Sequence, residues 1–536
     1  MELSEVQCKA IGHIEYSFEH NINPICSLDM GSGKTRVACK IIASFHQKNR
    51  RYCVLIITKS SLFRKTWIKE LEECKIENIS SCIICLHGKE REKYLGKDAK
   101  YSFSDNKIIL TSYDTLVKDI ENNRYNMEYI IDLMVIDEIQ LFMNSNRLTK
   151  RCKIISKLPA VKKLALSGTP IQNTSLELGL TYLFLNEPME IPIRGKISEN
   201  TLKSAKDRCL ENNAIFYLFG DKKGDYKKHE TILCLPVNPV ALSFTREKLS
   251  GSQKRLMYLS HPDSVYYKYG KQPETVFCTK VEAVKAIVNK NRLNKTVVFS
   301  RFINVLYAYE DMFVNEGTRV IMVTGKDKGR ELNEKLELFE FSDCFNVLLT
   351  TLQKSSEGLN FSFANHIIIL EFWWNPQKIF QAMNRINRKD QKSNIFIYLL
   401  CYHDQKCFIK EEYGMYKKMR DKNEDANEVL ASDNVNKGIN IRSLPEFITI
   451  SDMQTFETEL TECLLELYKN NHTYKDYYIE ETHEESFYKT VENIKNHPLM
   501  KKYMHEFYQG AMEEAIKESN ANWAKQNRTK NPYNGV

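Results

Sequence analysis

A loop with two glycines, a lysine and a threonine separates an apolar strand pattern from a helical pattern in the segment LDMGSGKTRVACK. Gly31 and Gly33 allow backbone amides to approach an anion, and Lys34 can reach the β- and γ-phosphates of a nucleotide. The hydroxyl of Thr35 can ligate the accompanying Mg²⁺ ion. The strict phosphate-loop pattern has another glycine where this chain has Leu28, so the loop alone leaves a chance match open. The predicted site for ATP and Mg²⁺ comprises Met30, Gly31, Ser32, Gly33, Lys34 and Thr35.

A pair of carboxylates ends the apolar run LMVIDEIQ. Side chains at the carboxyl ends of parallel strands lie in the crevice where α/β proteins bind ligands. There Asp137 can hold Mg²⁺, and Glu138 can orient or deprotonate the attacking water. An isolated acidic pair is usually a solvated strand end. Because this pair follows GSGKT within the same alternation of strands and helices, it predicts the catalytic part of the same site.

Two arginines lie much further along the chain, in FWWNPQKIFQAMNRINR. The stretch has helical character, so Arg385 and Arg388 are predicted to share a helix face. An arginine fork can stabilise the negative charge that gathers on a transferring γ-phosphoryl group. Both residues are far along the chain from Lys34, so they reach the phosphates only if two lobes close around ATP. The alternative is a pair of surface arginines on a solvated helix.

Two sets of alternating strand and helix patterns must position these residues. The first set runs from PICSLDM to KKLALSG, and the second runs from KTVVFSRF to IFIYLL. Strands separated by helices predict parallel sheets covered by helices on both faces, so the predicted fold class is α/β with two lobes. The predicted organisation is an N-terminal lobe over 1–185, a helical insertion and linker over 186–292, a C-terminal lobe over 293–430 and a helical tail over 431–536.

The composition of the 536 residues, 42% hydrophobic and 27% charged, is that of a soluble globular protein. No apolar run is long enough to span a membrane, and the first residues, MELSEVQCKA, do not resemble a secretory signal. The net charge of +8 permits binding to a polyanion. The 15 cysteines are interpreted as reduced thiols. Cys82 and Cys85 lack a second pair at zinc-site spacing, which favours buried strand cysteines over a zinc site.

The motifs together resemble those of the Swi/Snf-type superfamily II helicase-like ATPases, from Leu3 to about Leu430. The segments that carry the resemblance are LSEVQCKAIGHI, LDMGSGKT, LIITKSSLFRKTWIKEL, ILTSYDTL, VIDEIQLF, LALSGTPIQNTSLELGLTYLFL and SSEGLNFSFANHIIILEFWWNPQKIFQAMNRINRKDQ. The resemblance implies two RecA-like lobes, ATP with Mg²⁺ between them, and nucleotide contacts from Gln7 and Gly358.

The resemblance also implies a function. We expect an ATPase that translocates on double-stranded DNA and remodels what is bound there, in transcription regulation or DNA processing. The alternatives are a strand-separating helicase and a nucleic-acid-binding scaffold with a vestigial ATP site. Chromatin or transcription proteins are the other expected partners. The chain resembles compact viral members of the class, such as the baculovirus global transactivator, which implies the nucleus of a host cell, with the cytoplasm as the alternative.

The DNA duplex is expected to lie across both lobes and to be held through its phosphates. The candidate contacts are Lys59, Ser60, Arg64, Thr111 and Ser112 in the first lobe, and Ser300, Arg301, Thr350, Thr351, Trp374, Asn375 and Lys378 in the second. Trp373 and Trp374 follow an apolar strand, where sidedness alternates. One tryptophan is expected to pack into the lobe and the other to face the DNA groove, where stacking on a base and packing in the core are both open.

The chain departs from the family pattern at a few positions. Gln140 stands where the motif after Glu138 usually has a histidine, and a glutamine can bridge two motifs by hydrogen bonds but cannot carry a proton. Ser355, Ser356 and Asp390 stand where the family usually has glycine. The segment FYLFGDKKGDYKKHE differs from the usual basic brace between the lobes. All the phosphate-contacting positions remain, so we expect an active ATPase.

Overall fold

The computed structural model of the chain describes residues 3–29, 31–48, 51–74, 78–96, 100–101, 107–125, 130–141, 143–144, 147–187, 197–218, 226–265, 277–354, 359–388, 391–404, 407–430, 444–450 and 456–469. Some sequence predictions lie outside these residues. They concern Met30 and Gly358 in the nucleotide site, the departures at Ser355, Ser356 and Asp390, and most of the predicted tail.

Seven parallel strands form the sheet of the first lobe. In spatial order they are β3 (Ile83–Leu86), β4 (Lys107–Thr111), β2 (Cys53–Ile57), β5 (Ile131–Asp137), β8 (Ala160–Ser167), β1 (Ile25–Leu28) and β9 (Ile215–Leu218). The central strands are buried on both faces, which is why the sequence shows continuous apolar runs there. Leu55 and Ile57 of β2 belong to one apolar cluster, and Val54 and Ile56 belong to another on the opposite face.

Helices cover both faces of this first sheet. They are α1 (Glu5–Glu19), α2 (Lys34–Lys48), α3 (Lys69–Glu73), α4 (Ile79–Cys82), α5 (Tyr113–Glu121), α6 (Lys150–Ile155), α7 (Leu176–Asn186) and α8 (Glu199–Glu211). Two short antiparallel strands, β6 (Met143–Asn144) and β7 (Arg147–Leu148), pair outside the sheet. Shorter helical turns occupy Ser60–Leu62, Phe63–Ile68, Gly88–Tyr94 and Ile139–Leu141.

The second lobe has an eight-stranded sheet in which seven neighbouring strands are parallel. In spatial order these seven are β12 (Val320–Val323), β13 (Val347–Thr351), β11 (Thr296–Ser300), β14 (His366–Ile369), β15 (Ile395–Asp404), β10 (Lys228–Pro236) and β17 (Glu446–Thr449). The eighth strand, β16 (Cys407–Phe408), runs antiparallel to the end of β15. The predicted α/β fold of two lobes built on parallel sheets is confirmed.

Helices also cover the second sheet. They are α9 (Pro239–Lys248), α10 (Ser252–Ser260), α11 (Thr279–Lys290), α12 (Ile303–Asn315), α13 (Gly329–Phe341), α14 (Pro376–Met383), α15 (Lys410–Leu430) and α16 (Phe456–Lys469). As in the first lobe, residues of one strand alternate between two apolar clusters: Val298 lies in one, and Val297 and Phe299 lie in the other.

The region predicted as a helical insertion and linker, 186–292, also contains two strands. β9 pairs with β1 at the edge of the first sheet, and β10 lies inside the second sheet between β15 and β17. Each of these two strands joins a different sheet, so the region contains no repeated strand–helix unit that a sequence pattern could reveal. The first sheet therefore extends to Leu218 and the second begins at Lys228, so the boundaries at 185 and 293 divide both lobes incorrectly.

The region predicted as a helical tail, 431–536, contributes a strand as well as a helix to the second lobe. β17 pairs with Thr231 to Cys234 of β10, so the strand lies at the edge of the sheet. Phe456, Leu460 and Leu464 of α16 are buried in an apolar cluster of the second lobe. The described part of the tail is therefore integral to the fold of that lobe.

Helix α15 spans the two lobes. Met419 is buried in an apolar cluster of the second lobe, whereas Ala426, Val429 and Leu430 are buried in a cluster of the first. A helix of 21 residues is about 30 Å long, enough to reach from one core to the other. The same helix therefore contributes to both cores and links their relative positions.

Among the described residues, none of the helices is both long and apolar enough to cross a membrane. Cys82 ends α4 and is buried, and Cys85 lies half-buried in β3. Within the described ranges, His, Cys, Asp and Glu side chains form no cluster of three or more that could hold a metal ion.

Candidate nucleotide site between the lobes

The predicted phosphate loop leads from β1 into α2 at the carboxyl edge of the first sheet. Gly31 and Gly33 have positive φ angles of 80° and 85°, which L side chains rarely adopt. A Cβ atom on Gly33 would clash with the side-chain amide of Gln7, so a larger residue there would displace Gln7 from its place against the loop. The hydroxyl of Ser32 is buried and has no hydrogen-bond partner among the described residues. A buried polar atom without a partner beside glycine amides fits a loop built to hold an anion.

Gln7 supports the loop from α1. It lies in a capping box with Ser4: the Ser4 hydroxyl accepts from the Gln7 amide, and the Gln7 side chain accepts from the Ser4 amide at 3.1 Å. Its Nε2 donates to the carbonyl of Ser32 at 3.0 Å. The structure thus places Gln7 against the backbone of the phosphate loop, and the predicted adenine contact stays a prediction.

Lys34 and Thr35 are the first two residues of α2. The Lys34 ammonium donates to the carbonyls of Leu28 and Asp29, at 3.0 and 3.3 Å. These two carbonyls hold the ammonium at the base of the phosphate loop. Both side chains are half-buried at the N-terminus of a helix, where the backbone dipole favours a bound anion.

Asp137 is the last residue of β5, and its side chain is buried. Its carboxylate accepts from Thr58 Oγ1 at 2.7 Å and from Trp67 Nε1 at 3.4 Å. Burial and the neighbouring Glu138 raise the pKa of Asp137 to about 6, and Lys34 acts in the opposite direction. A buried carboxylate whose ionised form lacks a full counter-charge is suited to a divalent cation.

Glu138 is in the left-handed backbone region, with φ of 54°. Its carboxylate accepts from Gln140 Nε2, and Gln140 Oε1 accepts from Ser167 Oγ at 2.7 Å. Ser167 Oγ in turn accepts from the amide of Thr169 at 2.9 Å. The chain of bonds ties the end of β5 to the end of β8, so Gln140 joins the two motifs in the way proposed from sequence. Left-handed backbone at a non-glycine residue is typical of strained functional positions.

Arg385 and Arg388 lie beyond the end of α14 and not on a helix face. The helix ends at Met383, and both arginines occupy the turns that follow. The amide of Arg385 bonds to the carbonyl of Ala382, three residues back instead of four, and the carbonyl of Arg385 accepts from the amide of Phe361, so the α-helical bonding does not continue. The prediction of a shared helix face is therefore wrong. The alternative of solvated surface arginines is also wrong, since Arg385 is only 5% exposed.

The two guanidinium groups point toward the first lobe. Arg385 and Arg388 both donate to the carbonyl of Leu359, at 3.2 and 3.4 Å. A Cβ atom on Gly31 would lie 3.2 Å from Arg388 Cδ, which places this arginine against the phosphate loop. Burial and the charge of Arg388 lower the pKa of Arg385 to about 9, while Glu138 acts to raise it, so the group stays charged at neutral pH.

Four residues that sequence reasoning did not single out hold this site together. Thr58 and Trp67 fix the carboxylate of Asp137, and Asn384 Nδ2 donates across the lobes to Asp29 Oδ1 at 3.4 Å. Thr58 follows β2, whose carboxyl end meets the same sheet edge as that of β5, so strand topology could have indicated it. No local pattern marks Asn384 or Asp29, because their pairing depends on how the lobes meet.

Four of the twelve predicted DNA contacts have buried side chains: Thr111, Ser300, Thr350 and Asn375. The hydroxyl of Ser300 donates to the Glu371 carboxylate at 3.1 Å. The side chain of Asn375 caps α14 by accepting from the amide of Gln377 at 2.9 Å. These four side chains are buried in the fold in this conformation. Eight candidates remain at least partly exposed: Lys59, Ser60, Arg64, Ser112, Arg301, Thr351, Trp374 and Lys378.

The paired tryptophans differ in environment. Trp373 packs against the core of the second lobe, and the Arg301 guanidinium lies 4.9 Å from its ring centre. Trp374 is 39% exposed, and the ammonium of Lys422 from α15 lies 4.2 Å from its ring centre. One tryptophan therefore packs inward and the other lies at the surface, as the strand alternation predicts.

The fold and the site define a class of two-lobed, helicase-like nucleotide-binding proteins. The profile of the SNF2-related domain matches residues 13–189, and that of the helicase conserved C-terminal domain matches residues 279–390. Each match falls within one of the two lobes. The chain is therefore similar to SNF2-related proteins in its first lobe and to helicases in its second.

Relatives with curated names include proteins of bacteria, plants and a yeast. An uncharacterized ATP-dependent helicase of Mycoplasma pneumoniae is 24% identical over 412 residues, which are 71% of this chain and 38% of the relative. A probable chromatin-remodeling complex ATPase chain of rice is 23% identical over 75% of this chain and 39% of its own length. The ISWI chromatin-remodeling complex ATPase CHR17 of Arabidopsis thaliana is 24% identical over 75% of this chain and 40% of its own. The chain thus spans about two fifths of the length of these relatives.

Among solved structures, the SWI2/SNF2 ATPase core of Sulfolobus solfataricus in complex with double-stranded DNA is 19% identical. The comparison covers 83% of this chain and 98% of that core, with a TM-score of 0.37. A TM-score this low carries no information on how the lobes of this chain are arranged.

Proposed function

We propose that the chain is a DNA-dependent ATPase that translocates on double-stranded DNA and remodels what is bound there. The observation that carries the proposal is the composite site. The phosphate loop of the first lobe lies against Arg388 of the second, and Asn384 bonds to Asp29 across the same interface. A site divided between two lobes converts nucleotide binding and release into relative motion of the lobes. The names of the rice and Arabidopsis relatives support chromatin remodelling as the use of that motion.

Each residue of the site has a role in the proposed reaction. The amides of the loop around Gly31 and Gly33 hold the phosphates, and Lys34 neutralises the β- and γ-phosphate oxygens. Glu138, held by Gln140, orients the attacking water and accepts its proton. Arg385 and Arg388 complement the charge that develops on the γ-phosphoryl group.

The residues present fit a magnesium ion. Asp137 offers a buried carboxylate and Thr35 offers a hydroxyl at the start of α2, and both are oxygen ligands of the kind that Mg²⁺ prefers. When bound, the ion neutralises negative charge on the β- and γ-phosphates. A cation beside Asp137 also favours the ionised carboxylate, which burial alone disfavours.

DNA is proposed to contact the eight exposed or half-buried candidates. Lys378 and Lys59 lie close enough across the lobes for each charge to affect the other, and burial with Lys59 lowers the pKa of Lys378. Two ammonium groups drawn together from different lobes form a place where a backbone phosphate neutralises both. This charge pair makes DNA binding favour closed lobes.

The test is the steady-state rate of ATP hydrolysis with duplex DNA, single-stranded DNA, RNA and no nucleic acid. We expect the duplex to stimulate the rate most. Glu138→Gln is the matched negative control, because it keeps the size of the side chain and one acceptor oxygen but removes the carboxylate. Displacement of a third strand without separation of the duplex strands distinguishes a translocase from a strand-separating helicase. A chain that binds ATP without hydrolysing it in any condition would be a scaffold with a vestigial site.

The proposal also covers the cellular setting. The relatives named as chromatin remodellers support the nucleus as the place of action and chromatin or transcription proteins as partners. If the chain is a compact viral member of the class, the host nucleus is that place, and the cytoplasm is the alternative. Imaging of a fluorescent fusion distinguishes the two compartments.

A further inference from the structure

Four polar side chains, linked by hydrogen bonds, form a row along the interface that carries the two arginines. Asn384 Nδ2 donates to Asp29 Oδ1 at 3.4 Å, and Asn387 Nδ2 donates to Asn384 Oδ1 at 2.9 Å. The hydroxyl of Tyr226 donates to Asn387 Oδ1 at 2.7 Å and lies 3.1 Å from the carbonyl of Arg388. This row of side chains starts at the phosphate loop in the first lobe and ends just before β10 in the second.

Tyr226, the last residue of this row, lies in the segment that connects the two lobes. It lies between β9, the last strand of the first sheet, and β10, which belongs to the second sheet. Its ring packs against the core of the second lobe, so the direction of its hydroxyl is fixed. Burial and the charge of Asp29 raise the pKa of this tyrosine to about 12, so the hydroxyl keeps its proton and remains a donor at neutral pH.

The hydroxyl acts on the segment that presents Arg388. It contacts the side chain of Asn387 and the backbone carbonyl of Arg388, so it fixes the backbone from which the guanidinium extends. The same segment is crowded against the loop, since a Cβ atom on Gly31 would lie 3.7 Å from the Asn387 carbonyl. A small rotation of this segment would move the Arg388 guanidinium relative to the phosphates.

From this geometry we infer that Tyr226 is a positioning residue for hydrolysis, acting through Asn387 to orient Arg388 toward the nucleotide. The inference rests on the proposed function, because it assigns to Arg388 its role at the γ-phosphoryl group. Tyr226 itself touches neither the phosphate loop backbone nor the acidic pair in the described contacts. Its effect is therefore on the transition state that Arg388 stabilises and not on the binding of ATP in the ground state.

The variant that tests the inference is Tyr226→Phe, which keeps the packed ring and removes only the hydroxyl. Loss of one hydrogen bond that fixes a catalytic group should lower kcat about 3- to 10-fold, with KM for ATP unchanged. Affinity for ADP with aluminium fluoride, a mimic of the transferring phosphoryl group, should fall by a similar factor, whereas affinity for ADP alone stays the same. Thermal unfolding should match wild type.

Tyr182→Phe is the matched control. Its hydroxyl accepts one hydrogen bond of 2.7 Å, from Asn212 Nδ2, between α7 and α8 of the first lobe and away from the nucleotide site. This control should leave kcat and the affinity for the fluoride complex at wild-type values. The double variant Tyr226→Phe with Asn387→Ala should lose less activity than the product of the two single losses, because the Tyr226 hydroxyl acts partly through Asn387 and partly through its contact with the Arg388 carbonyl.

The outcomes separate the inference from the proposed function. A wild-type chain that hydrolyses no ATP overturns the proposed function and the inference with it. A wild-type chain that hydrolyses ATP while Tyr226→Phe matches it overturns the inference alone. So do effects of Tyr226→Phe that appear only in KM or in the unfolding temperature, and so does a double variant whose losses simply multiply.

Discussion

At the scale of single residues, the site is held by hydrogen bonds that leave each catalytic group little freedom. The carboxylates of Asp137 and Glu138 are adjacent in sequence but serve different partners, because the left-handed backbone at Glu138 turns its side chain away from β5. Asp137 is held by Thr58 and Trp67, and Glu138 is held by Gln140. In the proposed reaction, this division would let Asp137 face the metal ion and Glu138 face the attacking water.

Replacing Lys34 or Glu138 should separate binding from chemistry. Lys34→Ala removes the ammonium at the base of the loop, so we expect weaker ATP binding and no hydrolysis. Glu138→Gln keeps the shape and the metal site but removes the acceptor for the proton of water, so we expect ATP to bind and the lobes to remain closed. Nucleotide affinity measured by fluorescence and turnover measured by phosphate release check both. Turnover near wild type in either variant would exclude this assignment of the site.

Replacing Arg388 should affect catalysis more than binding. In the best-measured cases, an arginine that completes a phosphoryl-transfer site raises kcat about 10³- to 10⁵-fold. Arg388→Ala should therefore lower the DNA-stimulated rate by orders of magnitude while the dissociation constant of ATP changes little. Arg388→Lys should restore little, because a single ammonium does not reproduce the planar fork. If ATP affinity falls in proportion to turnover, the arginine instead acts in the ground state.

At the scale of secondary structure, the sequence predicted most of the strands of both sheets but missed three that pair with strands distant in sequence. Apolar runs such as CVLII and LMVID predicted buried parallel strands, and the residues at their carboxyl ends lie together at one edge of the sheet. The strands β9, β10 and β17 were not recognised. Each of them lies next to a strand distant in sequence, and β9 and β17 each have only four residues, so local periodicity could not identify their partners.

The ends of elements were also difficult to predict. The pattern at Arg385 and Arg388 continues with helical spacing, but α14 stops at Met383. There the amide of Arg385 bonds to the carbonyl of Ala382, and the carbonyl of Arg385 accepts from the amide of Phe361. A tertiary contact thus ended a helix that local propensity would extend. The same contact buried the arginines, which no surface-helix pattern could indicate.

Two buried histidines make the second lobe sensitive to acid. His366 at the start of β14 is stacked 5.0 Å from Phe396, and burial lowers its pKa to about 3. Burial and Lys285 lower the pKa of His261 to about 4. Below the ordinary histidine pKa these histidines are protonated in the unfolded chain but not in the folded lobe. The free energy of unfolding therefore falls as pH drops from about 6.5 toward these values.

The effect of His366 can be isolated by substitution. Between pH 8 and pH 5 this histidine alone should lower the free energy of unfolding by about 2 kcal/mol. His366→Phe keeps a stacked ring but cannot titrate, so its unfolding by denaturant should depend less on pH by about that amount. The comparison uses the change between the two pH values in each protein, so any overall loss of stability cancels. Equal pH dependence in the two proteins would contradict the assignment.

At the scale of the whole molecule, the two lobes are joined by more than the covalent linker. Gln377 of α14 donates to the carbonyl of Ile171 in the first lobe at 3.2 Å, and Lys422 of α15 donates to Asn173 Oδ1 at 3.0 Å. Helix α15 also buries Ala426, Val429 and Leu430 in the core of the first lobe. The relative position of the lobes thus depends on a helix that starts in the second lobe and ends in the core of the first.

Asp425 is the residue of α15 that should show this dependence most clearly. Helix α7 of the first lobe begins at Leu176, and the side chain of its N-cap residue Ser175 makes no capping bond within the helix. Instead, the amide and the hydroxyl of Ser175 donate to the two carboxylate oxygens of Asp425, at 2.7 and 3.0 Å. A carboxylate at a helix N-terminus satisfies a free amide and interacts favourably with the helix dipole.

Asp425→Ala should therefore weaken α7 and the contact between the lobes together. We expect a loss of about 1 kcal/mol in the free energy of unfolding, comparable with removal of a helix cap. We also expect faster hydrogen exchange at the first turn of α7 and a larger radius of gyration in the absence of nucleotide. Glu424→Ala is the matched control, because the neighbouring side chain is 66% exposed and pairs only with Arg420 on its own helix among the described contacts. If both variants exchange at wild-type rates at the start of α7, then α15 contacts the first lobe without stabilising it. The contacts at the nucleotide site alone would then hold the lobes together.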